Sequence, residues 1–401
     1  MPSRRRFLGG LAGASLAGLA GCLGESQSYS AGSDADADWP MPRLDSTNTA
    51  YNPDAAAPRE GVTERWTHEG TMASAPPVVA DGRVFLPTVD GLYAFDSESG
   101  ERLWRYAPGE SPWSSPATVY DGTVFVAFGS DDAVHAVDAE TGEQVWWRAD
   151  AATTDAGPHL LAGQLVDDPV LYTGNRNGLL SRHDRETGEI TWQTDLFGEI
   201  RAFGYRAGQL FVGTSGGEIY AFAESGEGRG RPGEMWRRKV GGSVESILPD
   251  EEGVLVTTFG GPLRCLQSGA HAGTTRWTVQ PSMANAAPVG ADGWFVTAGY
   301  DSLASVREYD RKVGWRVGGR YDAAPPAAAG DTLYVSDGEA VHAYALDGGT
   351  GVGEFRIDAK RWSHPTPGNA SRGLAVADGA LFVACNTSET DDTGLYCLEP
   401  A

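Results

Sequence analysis

The sequence predicts an all-β chain, an eight-bladed propeller of four-stranded antiparallel blades, and three observations lead there. A hairpin motif recurs as AFDSESGERLW (94–104), AVDAETGEQVW (136–146) and RHDRETGEITW (182–192). Tryptophans recur at Trp66, Trp104, Trp146, Trp192, Trp236, Trp277 and Trp315, with Phe355 in the eighth place, at steps of 38 to 46 residues. Between them lie pairs of short apolar runs split by Asp-Gly turns, as in 76–96, 116–138 and 288–310. A repeat of about 40 residues carrying four strands is the signature of blades set around an axis.

Each element has a local reason. In the hairpin, the Asp side chain can accept hydrogen bonds from the turn backbone and the Gly takes the left-handed conformation. The strand after it carries the Trp inward. The chain ends set the blade count. Trp66 has no inner strands before it, and 373–399 holds three strands without a fourth. VTERWTHEG (62–70) is therefore expected as the outer strand of the last blade, which closes the ring and removes exposed edges. Seven blades is the competing count, because the repeats degenerate around Arg311-Lys312-Val313 and Gly348–Gly353. The stretch from Trp39 to Pro53 mixes turn-formers with aromatic anchors and is expected to lie against the ring.

Before the ring, residues 1–21 read as a signal. Ser3-Arg4-Arg5-Arg6-Phe7-Leu8 looks like a twin-arginine export motif, with Arg4 and Arg5 as its pair. The apolar run from Phe7 to Ala20 is too short to span a bilayer. Leu19-Ala20-Gly21-Cys22 matches a lipobox, so Cys22 is expected to carry a lipid and to hold the chain on the outer face of the cytoplasmic membrane. Residues 22–38 then read as the lipidated Cys and a flexible acidic tether, and 39–401 as the propeller.

Composition narrows the function classes. The 401 residues carry 54 acidic and 31 basic side chains, a net charge of −23, and Lys occurs only at 239, 312 and 360. Such a surface repels phosphates, so nucleic acid is excluded as a partner. Four Cys are too few for a disulfide scaffold. The acid excess resembles the proteomes of salt-in halophilic archaea, where carboxylates keep proteins hydrated and apart. Loss of the three signal arginines would take the net charge from −23 to −26.

The D-x-x-T-G-x-x-x-W hairpin at Asp96–Trp104, Asp138–Trp146 and Asp184–Trp192 resembles the repeat of quinoprotein-like, PQQ-type propellers. The order of anchoring Cys, tether and eight blades is similar to BamB-type lipoproteins. Two functions follow from the resemblance. A BamB-like chain is a non-catalytic, monomeric scaffold binding envelope or secreted proteins. A dehydrogenase-like chain would hold PQQ and Ca²⁺ near the axis, with an Asp base and often a vicinal Cys pair. This sequence has no adjacent cysteines, and the metal and base residues of those enzymes map to no position here. The scaffold is therefore the expected function, without catalytic residues, cofactor or metal; a surface lipoprotein binding a small ligand at the top of the axis is a further alternative.

For several single residues a packing role competes with a functional one. His135 and His342 fall where other blades carry Tyr93, Tyr220 and Tyr396, which favours packing over catalysis. Cys265 and Cys397 align with Ala94, Ala136, Ala221 and Ala343 in a small third-strand slot. Cys385 lies on the strand next to Cys397, leaving open a disulfide or two buried thiols. The acidic pairs Asp131-Asp132, Asp167-Asp168 and Asp391-Asp392 lack the spacing of a Ca²⁺ loop and read as solvated surface. Asn369 and Asn386 fit the glycosylation pattern. Crossings between blades share one face with the turns between second and third strands. Trp113, Arg176, Arg201, Tyr205, Arg206, Trp362 and His364 are expected there as a binding surface, with His159 nearby, because Arg and aromatics dominate binding hot spots.

Overall fold

A computed structural model describes residues 29–401 apart from 110–112, 130–131, 150–156, 164–165, 224–231, 270, 284–285, 353, 367 and 387–393. Its strands form eight sheets around one axis. Blades 1 to 5 are four-stranded antiparallel meanders, in chain order from the axis outward. Blade 1, for instance, runs Val78–Ala80, Arg83–Thr88, Gly91–Asp96 and Arg102–Tyr106. Blade 8 takes Leu374–Ala377, Ala380–Cys385 and Gly394–Pro400 from the C-terminus and Val62–Glu69 from the N-terminus. Val62 pairs with Pro400 and Glu69 with Gly394, so the ring closes as the sequence predicts and the seven-blade alternative is ruled out.

The recurring Trp explains why the blades stay together. It stands opposite Ala94, Ala136, Arg182, Ala221, Cys265, Ser305, Ala343 and Cys397 in the third strands. A register shift sits beside this pair in every blade. Such bulges bend a strand and re-aim its side chain. The indole thereby reaches the hairpin turn of the next blade. The indole Nε1 of Trp66 donates to Ser97 O at 3.0 Å, that of Trp104 to Ala139 O at 3.2 Å and that of Trp146 to Arg185 O at 3.0 Å. The motif Gly faces the ring: a Cβ on Gly188, whose φ is +69°, would lie 2.4 Å from Trp146. The motif Asp braces the same turn, with Asp138 Oδ1 accepting from Thr141 N at 2.8 Å and Thr141 Oγ1 at 2.9 Å. These bonds favour the carboxylate and lower its pKa.

Blade 7 requires a correction. Phe355 does not hold the eighth aromatic place, because Phe355–Arg356 and Gly351–Val352 form a small hairpin added to the outer edge of blade 6. The outer strand of blade 7 is Lys360–Pro365, and Trp362 is its repeat Trp. Its Nε1 donates to Pro58 O at 3.1 Å, the chain-end counterpart of the turn carbonyls used elsewhere. The two degenerate turns keep their geometry by other means. Arg311 adopts φ 62° in the glycine position of blade 6, and Gly348 still lies under Trp315.

The stretch after Trp39 does more than lie against the ring. It threads the axis from blade to blade. Trp39 exchanges backbone bonds with Val79 of blade 1, Pro40 O accepts from Val119 N of blade 2, and Ser46 O accepts from Tyr205 N of blade 4. Thr49 O accepts from Gly290 N of blade 6, and Tyr51–Asn52 adds a parallel strand inside blade 7. Of the expected tether, residues 29–38 instead pack under the ring. Asp378 N donates to Ala37 O at 3.1 Å, and Gly32 lies so close to Ala55 that a Cβ would overlap its carbonyl. Small residues in this acidic stretch permit that approach.

Candidate functional site

In a four-stranded meander the crossing to the next blade and the second-to-third turn emerge at one end, here called the top; the other two turns emerge at the bottom. The top end of the axis holds a cavity of about 220 Å³. All eight blades contribute to its wall, five through their inner strands and blades 1, 3 and 6 through the residues just ahead of theirs. Pro76, Pro116, Pro158, Pro288 and Pro326 line it, each just ahead of an inner strand, where a missing N–H costs no ladder bond. Trp39, Met41, Arg43 and Asn48 of the threaded segment line it as well.

Arg43 is the one cation of that segment. It donates from Nη1 to Pro326 O at 2.9 Å and from Nη2 to Pro288 O. Burial lowers its pKa to about 10, so it stays charged at neutral pH. Asn48 Nδ2 donates to Phe203 O at 2.6 Å and Ile247 O at 2.9 Å, tying blades 4 and 5. Sequence reasoning missed this segment's role and the proline ring. The signal was available in the prolines, which recur in register with the inner strands.

Around the cavity, the top-face connections expose large apolar side chains. Met72, Trp113, Phe197 and Met283 stand on crossings, Phe259 and Tyr300 on second-to-third turns. Phe197 is 71% exposed and Phe259 82%. Two of the rings are flanked by guanidinium groups, Arg237 at 5.6 Å from Phe197 and Arg320 at 5.3 Å from Tyr300.

The expected binding residues divide. Trp113 and Arg176 lie exposed on the top face. Arg201 is near the axial cavity and within 3.8 Å of Glu199 and 3.9 Å of Glu245. Tyr205 and Arg206 are not with them. The inner strand Ile200–Arg206 is seven residues long, which carries Tyr205 into the core and Arg206 to the bottom, 3.2 Å from Glu251. Trp362 is the repeat Trp of blade 7, and His364 sits half-buried opposite Val341 on the same outer strand. The His159 side chain, Arg4, Arg5 and Cys22 lie outside the described residues.

The remaining polar groups brace turns. Buried His342 contacts Asp337 Oδ2 at 2.7 Å through Nε2 and Ser363 Oγ at 2.9 Å through Nδ1. Blade 1 makes the same tie with Tyr93, whose hydroxyl donates to Asp90 Oδ2 at 2.9 Å. His183 is buried between Thr173 Oγ1 and Gly188 O, and burial lowers its pKa to about 4. Cys265, Cys385 and Cys397 are unbonded and buried, with thiol pKa values pushed up to about 12. The disulfide does not form because Cys397 pairs with Phe382, three residues from Cys385. Among the described residues no three His, Cys, Asp or Glu side chains converge to hold a metal. Asn386 exchanges two bonds with the Ala73 backbone in the interior, whereas Asn369 is exposed.

A closed eight-bladed ring with an interblade Trp lock and an apolar mouth at one end defines a quinoprotein-like propeller. The chain belongs to the family described as "Outer membrane protein assembly factor BamB", whose model matches residues 54–257 and again 176–293. No curated protein matches it in sequence. Solved structures share its fold at low identity. Quinohemoprotein alcohol dehydrogenase from Comamonas testosteroni aligns with TM-score 0.66 and 14% identity over 90% of this chain and 80% of that one. BamB from Moraxella catarrhalis aligns with TM-score 0.63 and 14% identity, over 84% and 100%. The computationally designed Ika8 protein aligns with TM-score 0.61 and 12% identity, over 86% and 99%.

Proposed function

We propose that this chain is an exported, lipid-anchored, non-catalytic scaffold that binds envelope or secreted proteins through its top face. One observation carries the reading: among the described residues, six of the nine exposed aromatic and Met side chains, Met72, Trp113, Phe197, Phe259, Met283 and Tyr300, stand on the connections at that end. Clustered apolar side chains exposed at one end mark interaction sites, and aromatics flanked by Arg are the usual anchors. Family membership supports it. The anchor would be Cys22, reached after twin-arginine export. Residues 29–38 run beneath the ring, so an anchor before them turns the top face away from the membrane.

Photo-crosslinking on whole cells tests this. Probes at Phe197, Phe259 and Tyr300 should capture a recurring envelope protein, and probes at the exposed outer-strand positions Val145 and Met235 should not. Capture independent of position, or no better than from a Cys22→Ala release variant, would overturn it. Titration with PQQ and Ca²⁺ in high salt, with dye reduction as readout, checks the dehydrogenase alternative. Saturable PQQ binding would replace the scaffold reading.

A further inference from the structure

The bottom face carries a cleft between blades 5 and 6, with a volume of about 490 Å³. Asp250, Glu251 and Glu252 form the first turn of blade 5 at one side, and Asp292, Trp294 and Glu308 of blade 6 the other. Two arginines are already engaged: Arg206 with Glu251 at 3.2 Å, and Arg276 with Glu252. Glu308 has no ion-pair partner among the described residues. It is only 9% exposed, and its Oε1 is buried without a hydrogen bond.

The fold does not need a carboxyl here. Glu308 N donates to Gly293 O, the same turn bond that Ser97, Ala139 and Leu346 make in blades 1, 2 and 7. Ser, Ala and Leu thus serve the position, and burying a carboxylate that has an acid, Asp250, as its side-chain hydrogen-bond partner and no ion pair is costly. Burial and the nearby Asp250 and Glu252 push the Glu308 pKa up to about 7 against the pull of Arg276. Cys265 of blade 5 also faces it and is neutral. Such a group gains most from an added positive charge.

We propose that this cleft binds a small organic cation, an ammonium or guanidinium on an alkyl stem, with Glu308 and Asp250 receiving its charged head. A bare metal fits poorly, because no three acidic side chains converge closely enough among the described residues. An alkyl stem suits the wall, which Tyr51, Leu248 and Trp294 line. The Trp294 ring already attracts a cation, with Arg307 at 5.7 Å from its centroid.

The test is calorimetric titration of the full chain with agmatine at fixed ionic strength, using 1,4-butanediol as the neutral control. At about pH 8 Glu308 is ionised and agmatine should bind saturably; near pH 6 it holds a proton and binding should weaken about tenfold, with proton release on binding around neutrality. Glu308→Gln should weaken binding by about tenfold or more and abolish that pH dependence. Its thermal melt, measured alongside, should match the parent. Absence of saturable binding at about pH 8, equal binding of butanediol, or unchanged affinity in a folded Glu308→Gln would overturn the proposal. None of these outcomes bears on the top face, where binding is read separately.

Discussion

At the scale of single residues, the blade interface rests on one indole and one glycine. Trp146 is buried against the turn that Gly188 begins to reverse, and its Nε1 satisfies the Arg185 carbonyl. Trp146→Ala should cost about 3–5 kcal/mol in denaturant melts, from lost burial and the void left behind. Gly188→Ala should destabilise by about 1–3 kcal/mol, since a methyl group there meets the ring at left-handed φ. Equal stability of either variant and the parent would mean that the blades adhere without this lock. Much of this was legible: the D-x-x-T-G spacing reveals the turn and the periodic Trp reveals the strand. What the spacing cannot reveal is direction, because a bulge turns the indole toward the following blade. Phe355 misled for a related reason. An inserted hairpin moved an aromatic into the expected interval, while the true position fell at Trp362.

At the scale of elements, the threaded segment is the part least readable in advance. Its residues show no period, and its bonds go to carbonyls and amides of inner strands whose own pattern is complete without it. Asn48 is its clearest contribution, since both amide hydrogens are used to join blades 4 and 5. Asn48→Ala removes both of these bonds between the segment and blades 4 and 5 and should cost about 1–3 kcal/mol, measured as a shift in the denaturant midpoint at unchanged slope. A neutral result would mean that water fills the axis in its place. Length also decides where a residue emerges. Three-residue inner strands match the spacing assumed for all blades, and the seven-residue strand of blade 4 carried Tyr205 and Arg206 to the far end.

At the scale of the molecule, the two chain ends meet in blade 8. A chain shortened to begin at Thr71 loses both the axial segment and the strand Val62–Glu69, and leaves Gly394–Pro400 as an uncovered edge. It should self-associate or unfold, seen as early elution in size-exclusion chromatography and a lost cooperative melt. A monomeric, cooperative product would show that seven full blades and an open eighth suffice. The blade count was legible because Trp66 lacked inner strands and the C-terminus lacked an outer one. The top-face surface was legible only in part. Trp113 and Arg176 follow from the meander, but Phe197, Phe259 and Tyr300 become a set only once three blades stand side by side.

The path of the N-terminal segment has a mechanical meaning. A pull on the chain ahead of Tyr29 first meets residues 29–38, whose few bonds to the bottom turns would break one at a time, like a peeling strip. The load then arrives at the hub, not the rim. There the bonds of Trp39, Pro40, Ser46, Asn48 and Thr49 reach five different blades, so no single blade carries the strain. A wheel held by its axle can be tugged without losing its shape. A molecule fastened this way can sway on its mooring while the ring, and the surface it presents, remains rigid.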